Sequence, residues 1–123
     1  MERIESPRTD DGAIEREIRA KGLTAPRVTP ADIEANIVES VYFSPVELVQ
    51  PESLRESSPL RLLTFCVLVL RNGFTVTGES ACASPENFDA ELGCKIARAN
   101  AVNKVWPLMG YALKQNLQNT PPV

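Results

Sequence analysis

The stretch Leu62–Ala81, LLTFCVLVLRNGFTVTGESA, predicts the centre of the fold. Two runs rich in β-branched and aromatic residues flank Asn72-Gly73, which is the strongest short signal for a β-hairpin. A two-residue type I′ turn needs positive φ at both central residues, and it would pair Val69 with Val76. The stretch therefore predicts an antiparallel hairpin over about 62–81.

In this register the first strand of the hairpin is apolar on both faces, whereas the second strand is apolar on only one. A strand that is buried on both faces needs cover from both sides. One chain of this size can hardly cover both faces, so we expect the protein to self-associate. The first predicted face carries Phe65, Val67, Val69, Phe74 and Val76, and the opposite face carries Cys66, Leu68 and Leu70 beside Thr75, Thr77 and Glu79.

A short helix and a strand are predicted before the hairpin. Thr29 is suited to be an N-cap, Pro30 favours the first helical position, and Asp32 completes a capping-box pattern. The helix is expected over about 30–37. The following residues, over about 38–43, are β-branched or aromatic and favour a strand.

A long helix is predicted after the hairpin, over about 85–117. Ser84 is suited to be its N-cap and Pro85 its first residue, while Pro107 predicts a kink or a restart. At 3.6 residues per turn, one stripe is predicted to face the core: Phe88, Leu92, Ile96, Ala99, Val102 and Trp106. A second stripe is small and is predicted to admit another helix in a homo-oligomer: Ala90, Gly93, Ala97 and Ala101.

These elements predict an α+β fold in which a small antiparallel sheet packs against a long kinked helix and a short N-terminal helix. The single globular domain is expected over 28–117. Residues 1–27 are predicted to be a flexible or partner-docked arm, and 118–123 a tail. The proline-rich segment 44–60 is predicted to be a long surface loop.

Composition excludes several classes of function. The net charge is −3 and no basic stripe is present, so we expect no nucleic-acid partner. The chain lacks histidine, its three cysteines form no Cys-x-x-Cys pair, and it has no glycine-rich phosphate loop. We therefore expect no catalytic residues, no metal and no cofactor. Its apolar runs are too short to span a membrane, and we expect a cytoplasmic protein.

Several short pieces, in this order and spacing, resemble a family of small bacteriophage proteins named after gene products 49 and 66 of two tailed phages. The resemblance covers roughly 28–117 and implies a phage-encoded protein in the cytoplasm of the infected bacterial host. The pieces are Asn72-Gly73-Phe74, Gly78-Glu79-Ser80-Ala81-Cys82, Pro85-Glu86-Asn87-Phe88, Asn100-Ala101, Lys104-Val105-Trp106 and Gly110-Tyr111.

The predicted layout is also similar, more weakly, to phage anti-defence sponges of the Thoeris system. That similarity implies a homo-oligomer that sequesters a cyclic ADP-ribose-like signal without cleaving it. An anionic nucleotide needs cations for phosphate, amides for a base edge and a ring for stacking. On this reasoning the candidate ligand-binding residues are Arg71, Asn87, Phe88, Arg98, Asn103 and Lys104.

Each candidate also has a purely structural interpretation. Phe88 and Asn87 suffice for a capped helix start, and Arg71 for a solvated turn. Asn100 and Asn103 are poor helix formers, so they either contact a ligand edge or a partner, or they bond back to the backbone near Pro107. Two other functions remain open: a factor that blocks a host or phage protein through the arm and the 44–60 loop, and a small hydrolase.

Overall fold

The hairpin, one preceding strand and one long helix make a two-layer α+β fold, as the sequence predicts. The structure is a computed structural model that describes residues 11–121. The three strands form an antiparallel sheet in the order β1-β2-β3. The elements are α1 (Asp11–Ala20), α2 (Pro30–Asn36), β1 (Ile37–Phe43), β2 (Leu63–Leu70), β3 (Thr75–Ala81) and α3 (Ala90–Asn119).

The turn between β2 and β3 differs from the predicted type I′ turn. Leu70 N donates to Phe74 O over 2.8 Å, which leaves a three-residue loop of Arg71, Asn72 and Gly73. Of these three residues only Gly73 has a positive φ, +88°, and Phe74 N donates to Asn72 Oδ1. This geometry is typical of a type I turn followed by a left-handed glycine. The predicted central pair of positive-φ residues is therefore wrong.

The longer loop shifts the register of the hairpin by one residue. Val69 pairs with Thr75 and Leu68 with Val76, so the predicted pairing of Val69 with Val76 is wrong. Since side chains alternate between faces, this shift moves the apolar residues of β3 onto the opposite face. The buried face of the hairpin carries Thr64, Cys66, Leu68, Leu70, Val76, Gly78 and Ser80.

Helix α3 covers this buried face with its small residues. The predicted core stripe is wrong in part, because Ala99 is exposed and the other members are only half-buried. The stripe predicted to admit another helix contacts the sheet of its own chain instead. The buried residues of α3 are Gly93, Ala97, Ala101 and Val105.

Close approach explains why small residues lie at this contact. A Cβ atom at Gly78 would come within 2.3 Å of both Ala97 O and Ala101 N. A Cβ atom at Gly93 would come within 2.9 Å of Thr64 Oγ1. The backbone of α3 therefore lies directly on β3.

The ends of α3 also differ from the prediction. The helix starts at Ala90, because the Asp89 side chain, and not Ser84, accepts the capping hydrogen bond from Leu92 N. The Ser84-Pro85 signal starts a short 3-10 turn, Pro85–Asn87. Helix α3 continues through Pro107 without a restart.

The N-terminal part of the fold agrees closely with the predicted elements. Thr29 and Asp32 form the predicted capping box, with hydrogen bonds of 3.0 and 3.1 Å. β1 begins at Ile37 and contains a bulge between Ile37 and Glu39. The predicted division into arm, domain and tail stays a prediction, and residues 1–10 and 122–123 of the arm and tail lie outside the described residues.

The second face of the sheet points away from α3. Here Phe43 stacks on Phe65, with 5.3 Å between ring centroids. Val67 and Val69 are half-buried, and Val41 on the neighbouring strand is 51% exposed. The expectation that β2 is apolar on both faces holds in the new register, and the face that points away from α3 is only half-buried.

Asn100 ties α3 to the outer edge of the sheet. Its Nδ2 donates to Glu79 O over 2.8 Å. Neither predicted role for a mid-helix asparagine describes this bond, because the acceptor is the backbone of a strand 21 residues away. The bond fixes the lateral position of α3 on β3.

Candidate functional site

A groove of about 400 Å³ lies at the hairpin end of the molecule. It runs between the end of α2, the β2–β3 turn and the second half of α3. We call it the hairpin groove. Its lining combines an apolar wall with amides and charged groups: Arg27, Val28, Asp32, Ala35, Asn36, Arg71, Met109, Ala112, Leu113 and Asn116.

Arg71 is fixed at the mouth of the hairpin groove by α2. Its Nε donates to Ala35 O over 2.8 Å, and its backbone N donates to Asn36 O over 3.0 Å. Within residues 11–121, Arg71 has no ion-pair partner. The guanidinium is therefore oriented through one edge.

A second groove, of about 500 Å³, separates α1 from α3. We call it the arm groove. It shares Arg27, Val28 and Leu113 with the hairpin groove, so the two lie on either side of the segment that leads into α2. Its lining is Asp11, Ile14, Glu15, Ile18, Pro26, Arg27, Val28, Pro30, Trp106, Gly110 and Leu113.

A bidentate ion pair holds α1 beside this groove. Arg27 Nη1 and Nη2 donate to the two carboxylate oxygens of Glu15 over 2.7 and 2.9 Å. Arg19 donates to the same carboxylate over 2.9 Å. The hydrogen bonds from Arg27, reinforced by Arg19, lower the pKa of Glu15 from 4.5 to about 2.

Acid is expected to loosen α1. Because the pKa of Glu15 is lowered in the folded chain, the ion pair stabilises α1 fully above about pH 4.5 and is lost as pH falls towards about 2. Trp106 is the only tryptophan and lines the arm groove, so its emission should change over this range. A Glu15→Gln variant should show the loosened spectrum already at pH 6; an unchanged spectrum at pH 6 would contradict the assignment.

Phe88 lies at a third and smaller site. It borders a cleft of about 100 Å³ near the start of α3, together with Tyr42, Ser44 and Cys94. Ser44 Oγ is buried without a hydrogen-bond partner. Asn87 ends the 3-10 turn beside this cleft and is exposed. Neither of these two candidates lines the hairpin groove beside Arg71.

Arg98 is engaged within the chain. Its Nη1 and Nη2 donate to the carboxylate oxygens of Glu34 on α2, both over 2.9 Å. This hydrogen bonding raises the pKa of Arg98, and burial raises the pKa of the neighbouring Tyr42 phenol. A phosphate that binds Arg98 would have to compete with Glu34.

The remaining candidates lie elsewhere on α3. Lys104 is exposed, and Asn103 is half-buried. The structure therefore does not bring the six predicted residues into one site within a single copy, and the predicted set stays a prediction. Sequence reasoning missed Arg27, Asn36 and Asn116, because no local pattern links segments that meet only through packing.

Three further properties of the described residues bear on the chemistry. Cys66 is buried, Cys82 and Cys94 are half-buried, and all three are free thiols. No cluster of three potential metal ligands occurs in residues 11–121. No helix of this part of the chain is long and apolar enough to cross a membrane.

A three-stranded sheet beneath one long helix, with two grooves against the helical layer, defines a small two-layer α+β protein. Residues 28–117 match the family described as phage protein (N4 Gp49/phage Sf6 gene 66), and the chain belongs to that family. Comparisons with curated proteins and with solved structures found no match. The predicted phage family is therefore confirmed, whereas the similarity to Thoeris sponges stays a prediction.

Proposed function

We propose that this chain is a non-enzymatic phage protein that captures a cyclic nucleotide-type immune signal in the host cytoplasm. The observation that carries the proposal is the hairpin groove beside Arg71. Its volume of about 400 Å³ lies within the range of about 300–1,000 Å³ that is usual for small-molecule sites. Its mixture of an apolar wall with a few polar groups is also usual for such sites.

The lining of the groove supports a cyclic ADP-ribose-like ligand. A guanidinium binds phosphate oxygens through charge-assisted hydrogen bonds, which are stronger than neutral ones. The amides of Asn36 and Asn116 offer both donors and acceptors for a base edge or a ribose. Met109 and Leu113 provide an apolar surface for the face of a base. Capture without cleavage needs no general base or nucleophile.

Calorimetry with cyclic ADP-ribose isomers and cyclic dinucleotides tests this function. We expect the wild type to bind at least one of them. Arg71→Gln should weaken binding by roughly tenfold to a hundredfold, since a hydrogen bond to a charged group contributes about 1.5–3 kcal/mol. Asn116→Ala should weaken it by a smaller factor. A wild type that binds none of these ligands would contradict the proposal.

Two controls separate the groove from the six-residue site predicted from sequence. Lys114→Ala removes an exposed charge of α3 that does not line the groove, and it should leave binding unchanged. A double variant, Arg98→Ala with Lys104→Ala, tests the six-residue site. If only the double variant loses binding, the function is retained but the groove is not its site.

The second candidate function is a factor that blocks a host or phage protein. The 44–60 segment favours it, because Leu48 is 67% exposed and Val49 is 43% exposed there. The segment is also held in shape, since the Arg61 side chain donates to Leu54 O and Arg55 O. If this function is correct, the wild type should bind none of the nucleotides. Leu48→Asp should then abolish the block of the host or phage protein in infected cells.

A further inference from the structure

The sheet has two outer edges, one on β1 and one on β3. The bond from Leu70 N to Phe74 O sets the alternation of the hydrogen-bonded pairs across all three strands. By this alternation, the backbone groups of Ser40 and Tyr42 point outward from β1, and those of Thr77 and Glu79 point outward from β3. Each edge therefore carries backbone donors and acceptors that no other strand of the sheet uses.

The chain itself engages part of the β3 edge. Asn100 occupies the outward carbonyl of Glu79, so a further strand on β3 would have to displace that amide. At the end of β1, Ser44 N donates to the Glu47 carboxylate over 2.7 Å. In contrast, within residues 11–121, no hydrogen bond engages the outward backbone groups of Ser40 and Tyr42. The open part of the sheet is thus the centre of the β1 edge.

We propose that β1 pairs antiparallel with β1 of a second copy, about a twofold axis at Val41, to form a six-stranded sheet. Pairing of edge strands is a common means of association, and an unprotected edge favours it. The inference concerns assembly and does not depend on the hairpin groove, because neither Ser40 nor Val41 lines that groove.

The register follows from the groups that are available. With Val41 on the axis, Ser40 of each copy forms a hydrogen-bonded pair with Tyr42 of the partner subunit, which gives four backbone hydrogen bonds. An axis at Ser40 would use Val38, which lies in the bulge. An axis at Tyr42 would use Ser44, whose N–H already binds Glu47. Only the axis at Val41 uses free groups throughout.

The side chains are compatible with this axis. Val41 is 51% exposed and would lie opposite Val41 of the partner subunit, on the sheet face that points away from α3. Glu39 would lie opposite Phe43 of the partner subunit, so the two Glu39 carboxylates do not oppose each other. The apolar surface of Val41, Phe43 and Phe65 would then continue from one copy to the next.

Charge reversal at the axis tests the side chains. Sedimentation velocity of the wild type should give a dimer at micromolar concentration. Val41→Lys and Val41→Glu each place like charges opposite each other, which should raise the dimer dissociation constant by at least about tenfold. An equimolar mixture of the two variants should restore dimers. A monomeric wild type, or variants that remain dimeric alone, would overturn the proposal.

Proline variants test the backbone bonds with a matched control. Ser40→Pro removes an outward donor of β1 without touching the β1–β2 ladder, and it should yield a folded monomer. Thr77→Pro removes an outward donor of β3 in the same way and should remain dimeric. Circular dichroism and thermal unfolding establish that both variants fold. Dissociation by Thr77→Pro, with a dimeric Ser40→Pro, would place the interface on β3 and overturn the proposal.

Discussion

Replacing Gly78 by alanine is expected to destabilise the fold severely. The added Cβ atom would lie within 2.3 Å of Ala97 O and Ala101 N, which belong to the backbone of a helix and cannot rotate away. The helical layer must therefore move off β3. Overpacking of a core costs about 1–3 kcal/mol, and contact with backbone should place this variant at or above the top of that range. Thermal unfolding should show a fall in Tm of roughly 10 °C or more.

Gly110→Ala is the matched control for this prediction. Gly110 lies in the same helix, but a Cβ atom there would meet nothing within 4 Å. Alanine should then stabilise α3 by at most about 1 kcal/mol, because glycine is a poorer helix former. A Gly78→Ala variant as stable as Gly110→Ala would mean that α3 does not lie on β3 as described.

Leu68→Ala is expected to have the second large effect. Leu68 is fully buried and lies in the middle of β2, between the helical layer and its two neighbouring strands. Truncation removes buried apolar surface and leaves a cavity, and such changes cost about 2–5 kcal/mol. Urea unfolding at constant slope should report this loss as a lower midpoint.

Leu60→Ala provides the comparison, since Leu60 is 43% exposed just before β2. Its free energy of unfolding should change by less than about 0.5 kcal/mol. If both variants lost the same free energy of unfolding, Leu68 would not face the core. Leu68 would then lie on the face opposite Val76, as in the register of a two-residue turn. The pair thus tests which face of β2 is buried.

The elements of the fold could be predicted from local sequence because each has its own signal. Thr29 and Asp32 form a reciprocal cap within three residues, and Asn72-Gly73 marks the turn. The register could not be predicted, since the same dipeptide is compatible with a two-residue and a three-residue loop. A difference of one residue reverses the faces of a strand.

The face of α3 and the candidate site were harder to predict for a different reason. Hydrophobicity predicts that the larger side chains of α3 face the core. In the structure Ala97 and Ala101 face the core, because their small side chains let α3 approach the sheet closely. The partner of Arg98 is 64 residues away in Glu34, so its engagement is a property of packing alone. The grooves likewise combine separate segments.

Arg27 belongs to two sites, so α1 and a ligand of the hairpin groove would compete for its side chain. Its guanidinium holds Glu15 and also lines the hairpin groove. An anion that took Arg27 from Glu15 would remove this contact of α1, and by linkage the docking of α1 would weaken the binding of that anion by the same factor. Binding in the hairpin groove and docking of α1 would therefore be coupled, and the emission of Trp106 in the arm groove would report both.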